Sequence, residues 1–213
     1  MTKLLSNKLE ASIISVDADR EVAEDIYQVV NKNKVTFVLC DLANLPFRNG
    51  AFCCVVCDLT LSTIEDWKHY QTLKEFKRTL KPKSRLYITD YFPEELPKSK
   101  RDKLAVEAWR LYKAASHLKG APHYEELPST LIIQWLKDIG FHDVEYGPTK
   151  AREKLEWKEG FKEYYENMKK EIAEVKDSKI RTAFRTKLEE LKKEITKHGA
   201  TSWSGIYLIQ ASA

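Results

Sequence analysis

The chain of 213 residues has only 7 glycines, and the first of them is Gly50. No Gly-x-Gly-x-x-Gly loop can be drawn anywhere along it, which argues against a nicotinamide-dinucleotide site, because that turn needs glycine for close backbone approach to the pyrophosphate. The 4 cysteines, Cys40, Cys53, Cys54 and Cys57, are crowded together, whereas a disulfide framework would spread them through the chain. Cys54-Val-Val-Cys57 has the spacing of a metal or redox pair, but no second pair follows, and strand alternation sends the two side chains to opposite faces. They read as small buried hydrophobes in a reducing cytoplasm, and no metal site is expected. No apolar run is long enough to span a bilayer. Met1 to Lys8 has no apolar signal segment, so a cytoplasmic location is expected. Charge of one sign is also scarce: Lys+Arg 36 against Asp+Glu 32 leaves +4, without the clustered excess of a dedicated nucleic-acid binder.

Hydrophobic residues make up 43% of the chain, enough for a sizeable core. The length fits one large domain, or one domain with an appendage. Leu4, Leu5 and Leu9 mark a short helix over 2–10. Residues 12–17 read as a buried strand ending in Asp17. Asp19 can cap a helix over about 20–31, with Val22, Ile26, Val29 and Val30 inward. A second strand, 35–40, is followed by Asp41. A third, 52–57, is followed by Asp58. A helix over about 65–80 carries Trp67, Tyr70, Leu73, Phe76 and Leu80 at helical spacing and stops at Lys81-Pro82-Lys83. A fourth strand, 85–90, ends in Asp90. Helical segments over 96–119 and 129–139, a strand over 141–147 and a last strand over 203–209 complete the pattern. Short apolar strands alternating with helices predict an α/β fold with a mostly parallel sheet covered on both faces.

Residues 152–198 differ in kind, with 14 bases against 11 acids. Phe161, Tyr165, Met168, Ile172 and Val175 recur at alternating steps of four and three. The pattern breaks at Asp177-Ser178 and resumes with Phe184, Leu188, Leu191 and Ile195. Two antiparallel helices closed by Gly199 are predicted. The expected organisation is an α/β domain over 1–150 and 200–213, with a helical hairpin inserted at 151–199.

Three successive strand-end acids, Asp17, Asp41 and Asp58, carry the functional signal. Open α/β sheets bind ligands beyond the carboxyl ends of their strands. Carboxylates there can accept hydrogen bonds from ribose hydroxyls or a base amino group. One such aspartate reads as a helix cap; three together favour a nucleotide-like ligand.

The segment Asp41-Leu42-Ala43-Asn44-Leu45-Pro46-Phe47, continuing to Phe52, resembles the D-A-x-x-L-P-F-x-D-x-x-F segment of class I S-adenosylmethionine-dependent methyltransferases. Leu80-Lys81-Pro82-Lys83-Ser84-Arg85-Leu86 is similar to their L-K-P-G-G-x-L turn, Ser15-Val16-Asp17-Ala18-Asp19 to their G-x-D-x-S segment, and Gly140-Phe141-His142-Asp143-Val144 to their G-F-x-x-V entry to a late strand. The resemblance covers residues 3–148 and 203–211. It implies a Rossmann-like sheet whose last strand is antiparallel, with S-adenosylmethionine as cofactor and a small-molecule methyl acceptor as partner. It implies that Asp17 binds the ribose hydroxyls, that Ala18 lies against the adenine, that Asp41 accepts from the adenine amino group, and that Leu42 packs on the ring or hydrogen-bonds its edge through the backbone. Asp58 would sit near the methionine moiety and the acceptor.

Asp58, His117 and His123 are the candidate general bases, with Asp58 and His123 taken as the catalytic pair. The family's first strand and its glycine loop are missing, and Lys83-Ser84 stands where the family has Gly-Gly. The absent strand is central in the family sheet, so either Met1 is an internal methionine of a longer natural chain, which is expected, or the chain is a real short form with the gap closed by direct strand pairing or by another chain. The hairpin is expected to serve as a lid, a homodimer contact or a partner-binding arm. Catalysis of methyl transfer is one reading; a non-catalytic scaffold working through protein contacts is the other.

Overall fold

The computed structural model describes residues 1–91, 99–120, 126–148, 160–200 and 206–213. The chain divides into two compact units. The first comprises Met1–Ile88, Ile132–Glu145 and Ile209–Ala213; the second comprises Thr89–Leu131 and Tyr146–Leu208.

In the first unit, α1 (Thr2–Lys8) leads into β1 (Ile13–Asp17), α2 (Arg20–Val29) and β2 (Val35–Leu39). The Asp19 carboxylate accepts from the Glu21 N–H at 2.9 Å and caps α2, as its position before an apolar-periodic run predicts. β1 and β2 pair in parallel, with Ile13 opposite Val35 and Asp17 opposite Leu39. This pair forms a two-stranded sheet of its own. β3 (Phe52–Asp58) is an edge of a second sheet with strand order β3-β4-β6-β5, in which β4 spans Leu80–Tyr91, β5 His142–Pro148 and β6 Ile206–Ser212. Ala213 bonds to both sides of the β4 entry, its carbonyl accepting from the Lys83 N–H at 2.9 Å and its N–H donating to the Ser84 carbonyl at 2.8 Å. The end of β6 therefore meets the start of β4, so the last strand runs antiparallel, as expected.

The division into two sheets explains where the burial expectations fail. Among the described residues, β1 and β3 have no ladder partner on one side, so their apolar runs are only partly covered. Cys57 is buried, but Cys53 and Cys54 are exposed, which corrects their reading as buried hydrophobes. Val29, expected inward, is 49% exposed, while Val22, Ile26 and Val30 are half-buried. The 65–80 helix is shorter than expected. α3 covers His69–Thr79 and buries Leu73 and Phe76, whereas Trp67 lies in a preceding 3-10 turn, Asp66–Lys68, and is exposed.

β4 starts at Leu80, earlier than Arg85, and runs through Pro82. Lys83 is held at φ 65, the left-handed region that disfavours a side chain. Lys83→Gly is therefore expected to raise unfolding stability by about 0.5–1 kcal/mol, relief of backbone strain outweighing the added freedom of the unfolded chain. Urea unfolding measures it, and a less stable variant would contradict the assignment of strain.

The second unit is built on α4 (Lys100–Leu118) and the hairpin α6 (Gly160–Ala173) and α7 (Ser178–His198). Ser99 and Asp102 form a reciprocal capping box on α4. Phe161, Tyr165, Met168, Ile172, Leu188, Leu191 and Ile195 form one buried cluster with Leu104, Ala108 and Leu111 of α4. The periodicity read from the sequence is thus the packing stripe itself. The Asp177 carboxylate receives the Lys179 and Ile180 N–H groups and starts α7; Gly199, at φ 73, ends it. α5 (Ser129–Ile139) completes the helices, with Ile132 and Leu136 fully buried.

Candidate functional site

The parallel register of β1 and β2 carries two of the predicted acids to one sheet end. Asp17 is the last residue of β1, and its carbonyl accepts from the Cys40 N–H at 3.0 Å. Asp41 follows immediately. Each carboxylate folds its own loop: Asp17 Oδ1 accepts from the Asp19 N–H at 3.0 Å, and Asp41 Oδ1 from the Ala43 N–H at 2.9 Å. These turns leave Ala18 exposed and Leu42 half-buried beside them. A carboxylate with one oxygen committed to a turn retains acceptor capacity on the other.

Asp58 ends β3, in the second sheet. The next residue, Leu59, has φ 49 and turns the chain sharply out of the strand. The amino-terminal segment touches a residue of each sheet. The Met1 ammonium lies 4.0 Å from Asp58 Oδ2, and the Thr2 and Ser15 hydroxyls are 3.3 Å apart. The structure thus joins Asp17, Ala18, Asp41 and Leu42 at one strand-pair end and puts Asp58 at the end of a strand in the other sheet. His123 lies outside the described residues. His117, in the last turn of α4, belongs to the second unit.

Three features of the site went unread in the sequence. The first is a staple behind the Leu-Pro-Phe loop. Arg78 donates through Nη1 to the Phe47 carbonyl at 2.6 Å and to Asn49 at 3.0 Å, and through Nη2 to the Leu45 carbonyl at 2.9 Å. It also pairs with Glu75, Nη2 lying 2.5 Å from Oε2 and Nε 2.8 Å from Oε1. The buried Glu75 in turn receives the Leu45 N–H at 2.9 Å. The Glu75-x-x-Arg78 spacing on one helix face was the available signal. Arg78 holds the Glu75 carboxyl below the usual carboxylate range, chiefly by that hydrogen bond.

The second feature is Lys68. Its ammonium lies 2.8 Å from Asp41 Oδ2 and 2.9 Å from Glu65 Oε2, and it stands over the Trp67 ring at 5.1 Å. Hydrogen bonding from Lys68, then from the Ala43 N–H, holds the Asp41 carboxyl low. The third is His69, which is fully buried and pins the loop carrying Lys68. Its Nδ1 lies 2.9 Å from the Asp66 carbonyl and its Nε2 2.7 Å from the Leu61 carbonyl.

Residues 1–88 match a family model described as a methyltransferase domain. No curated protein sequence matches the chain. Among solved structures it is similar to Haemonchus contortus phosphoethanolamine N-methyltransferase 2, with TM-score 0.59 and 18% identity, covering 99% of this chain and 45% of that one. The chain therefore spans a little under half the length of that enzyme. It is similar to the YcgJ protein of Bacillus subtilis, with TM-score 0.59, 16% identity and coverage of 98% and 84%. It is also similar to the [4+2]-cyclase SpnF, with TM-score 0.58, 14% identity and coverage of 99% and 69%. The fold is the Rossmann-like α/β fold of these neighbours, and the methyltransferase-domain match lies within the stretch over which the sequence motifs resemble that family.

Among the described residues, no helix is long and apolar enough to cross a membrane.

Proposed function

We propose that the chain binds S-adenosylmethionine and transfers its methyl group to a small-molecule acceptor. The observation that carries this reading is the register that sets Asp17 and Asp41 at one end of a parallel strand pair, Asp17 with one carboxylate oxygen beyond its turn and Asp41 with its second oxygen shared with Lys68. That donor set fits an adenosyl group: Asp17 takes the ribose hydroxyls, Ala18 and Leu42 flank the base, and Asp41 takes its amino group. When bound, the cofactor supplies an electrophilic methyl on a sulfonium. The residues of this chain bind and orient it, and orientation is the larger part of such catalysis. Asp58 places a negative charge near the sulfonium end and can accept a proton from an acceptor that must lose one.

The acceptor is read as a small molecule. Haemonchus contortus phosphoethanolamine N-methyltransferase 2, to which the chain is similar, has been seen in complex with phosphomonomethylethanolamine, so phosphorylated and simple amines are the first acceptors to try. The 151–199 hairpin is read as an insertion in a domain of residues 1–150 and 200–213, acting as a lid or a homodimer contact. His123 is kept as a candidate base alongside Asp58.

A second reading, a scaffold without catalysis, is favoured by the cation the protein itself places on its site, Lys68 against Asp41. Incubation with methyl-labelled S-adenosylmethionine and a panel of amines tests the two. Label in a small product, lost in Asp17→Ala, is expected. A folded chain that binds the donor and labels nothing supports the scaffold.

A further inference from the structure

Trp67 is 76% exposed, an unusual outlay for a large indole, although a single surface tryptophan needs no special explanation by itself. Its neighbours supply one. Lys68, the next residue, stands over the indole at 5.1 Å and at the same time lies 2.8 Å from Asp41 Oδ2. One ammonium therefore ties the exposed ring to the carboxylate assigned to the base amino group. The turn that presents them is not loose. Asp66–Lys68 is a 3-10 turn, Glu65 braces Lys68 at 2.9 Å, and the buried His69 ring sits between the carbonyls of Asp66 and Leu61, with a ring nitrogen 2.9 Å from the first and 2.7 Å from the second. With the ammonium on the indole and most of the ring's surface open, a planar ligand can still reach it.

We infer that Trp67 is the stacking platform for the nucleobase of the bound ligand, with Lys68 a positioning residue that holds the indole and the Asp41 carboxylate in register. This rests on the adenosyl reading above. Stacking and amino-group recognition then divide the work. The indole binds any purine through its face, and Asp41 selects one carrying an exocyclic amino donor. Lys68 also keeps Asp41 ionised, as the lowered carboxyl pKa indicates.

The test titrates S-adenosylhomocysteine and its inosyl counterpart, which lacks the amino group, into the wild type and three variants, following tryptophan fluorescence and calorimetry. Trp67→Ala is expected to weaken both ligands about tenfold, leaving their affinity ratio unchanged, since stacking on an aromatic face does not depend on the base. Trp67→Phe should retain most of the affinity. Lys68→Met should lower the ratio between the two ligands, a change that loss of general structure would not produce. Trp67 is exposed, so thermal midpoints should match the wild type. If the wild type binds S-adenosylhomocysteine and Trp67→Ala binds it equally well, the stacking assignment falls while the adenosyl reading stands. If the wild type binds neither ligand, both fall.

Discussion

Asp17→Ala is expected to weaken S-adenosylhomocysteine binding roughly a hundredfold, because a carboxylate accepting two hydroxyl hydrogen bonds loses two charge-assisted contacts at once. The side chain is half-buried, and the hydrogen bond its carboxylate accepts from the Asp19 N–H supports a local turn. The variant should therefore stay folded, with the loss confined to binding. Asp17→Asn keeps a turn acceptor but removes the charge, so an intermediate affinity is expected. Calorimetric titration of both variants separates charge from shape. Binding by Asp17→Ala within threefold of the wild type would remove Asp17 from the site.

Arg78→Met should produce the largest stability change. It leaves the Glu75 carboxylate, whose side chain is only 10% exposed, without its ion partner, and strips three acceptors of the Leu-Pro-Phe loop. Removing one member of a buried pair costs about 3–5 kcal/mol, and the partial exposure of Arg78 reduces this to roughly 2–3 kcal/mol. The pH dependence has a definite sign. The folded Glu75 pKa lies below the unfolded value, mainly through the Arg78 hydrogen bond. Its contribution is therefore full above the unfolded pKa and is lost as pH falls through the folded one. Urea unfolding should show the wild type well ahead of the variant near neutrality, with the gap closing below the unfolded carboxyl pKa of 4.5. A gap that persists undiminished in acid would mean that Arg78 acts through packing alone.

The strand ends were legible because four apolar runs each meet an acid, and β1, β2 and β3 match their expected spans to within about one residue at each end, the usual latitude for such boundaries. The hairpin stripe was legible for the same reason: Met168, Ile172, Leu188 and Leu191 are apolar at helical spacing, and all are almost fully buried. Apolar pattern gives the face of an element but not whether a neighbour covers it. Hence Val29, Cys53 and Cys54 were read as buried, although they lie on β3 and on the helix beside the β1-β2 pair, where the sheet is divided. Trp67 fitted the α3 spacing, but the chain tightens into a 3-10 turn before the helix begins, which rotates the indole off the core stripe.

In the site, the carboxylates were visible and the cations that organise them were not. Lys68 is 27 positions from Asp41 and Arg78 is 33 from Leu45, so only the folded chain brings them together. A surface lysine in a charged segment carries no mark of the carboxylate it will meet.

The central claim is that the ends of β1 and β2 form an adenosyl site in this chain. Calorimetric titration of the 213-residue protein with S-adenosylhomocysteine tests it most directly, with cooperative unfolding checked on the same sample. Saturable binding at micromolar concentration, one ligand per chain, is the predicted result. A cooperatively folded protein that gives no heat of binding would contradict it.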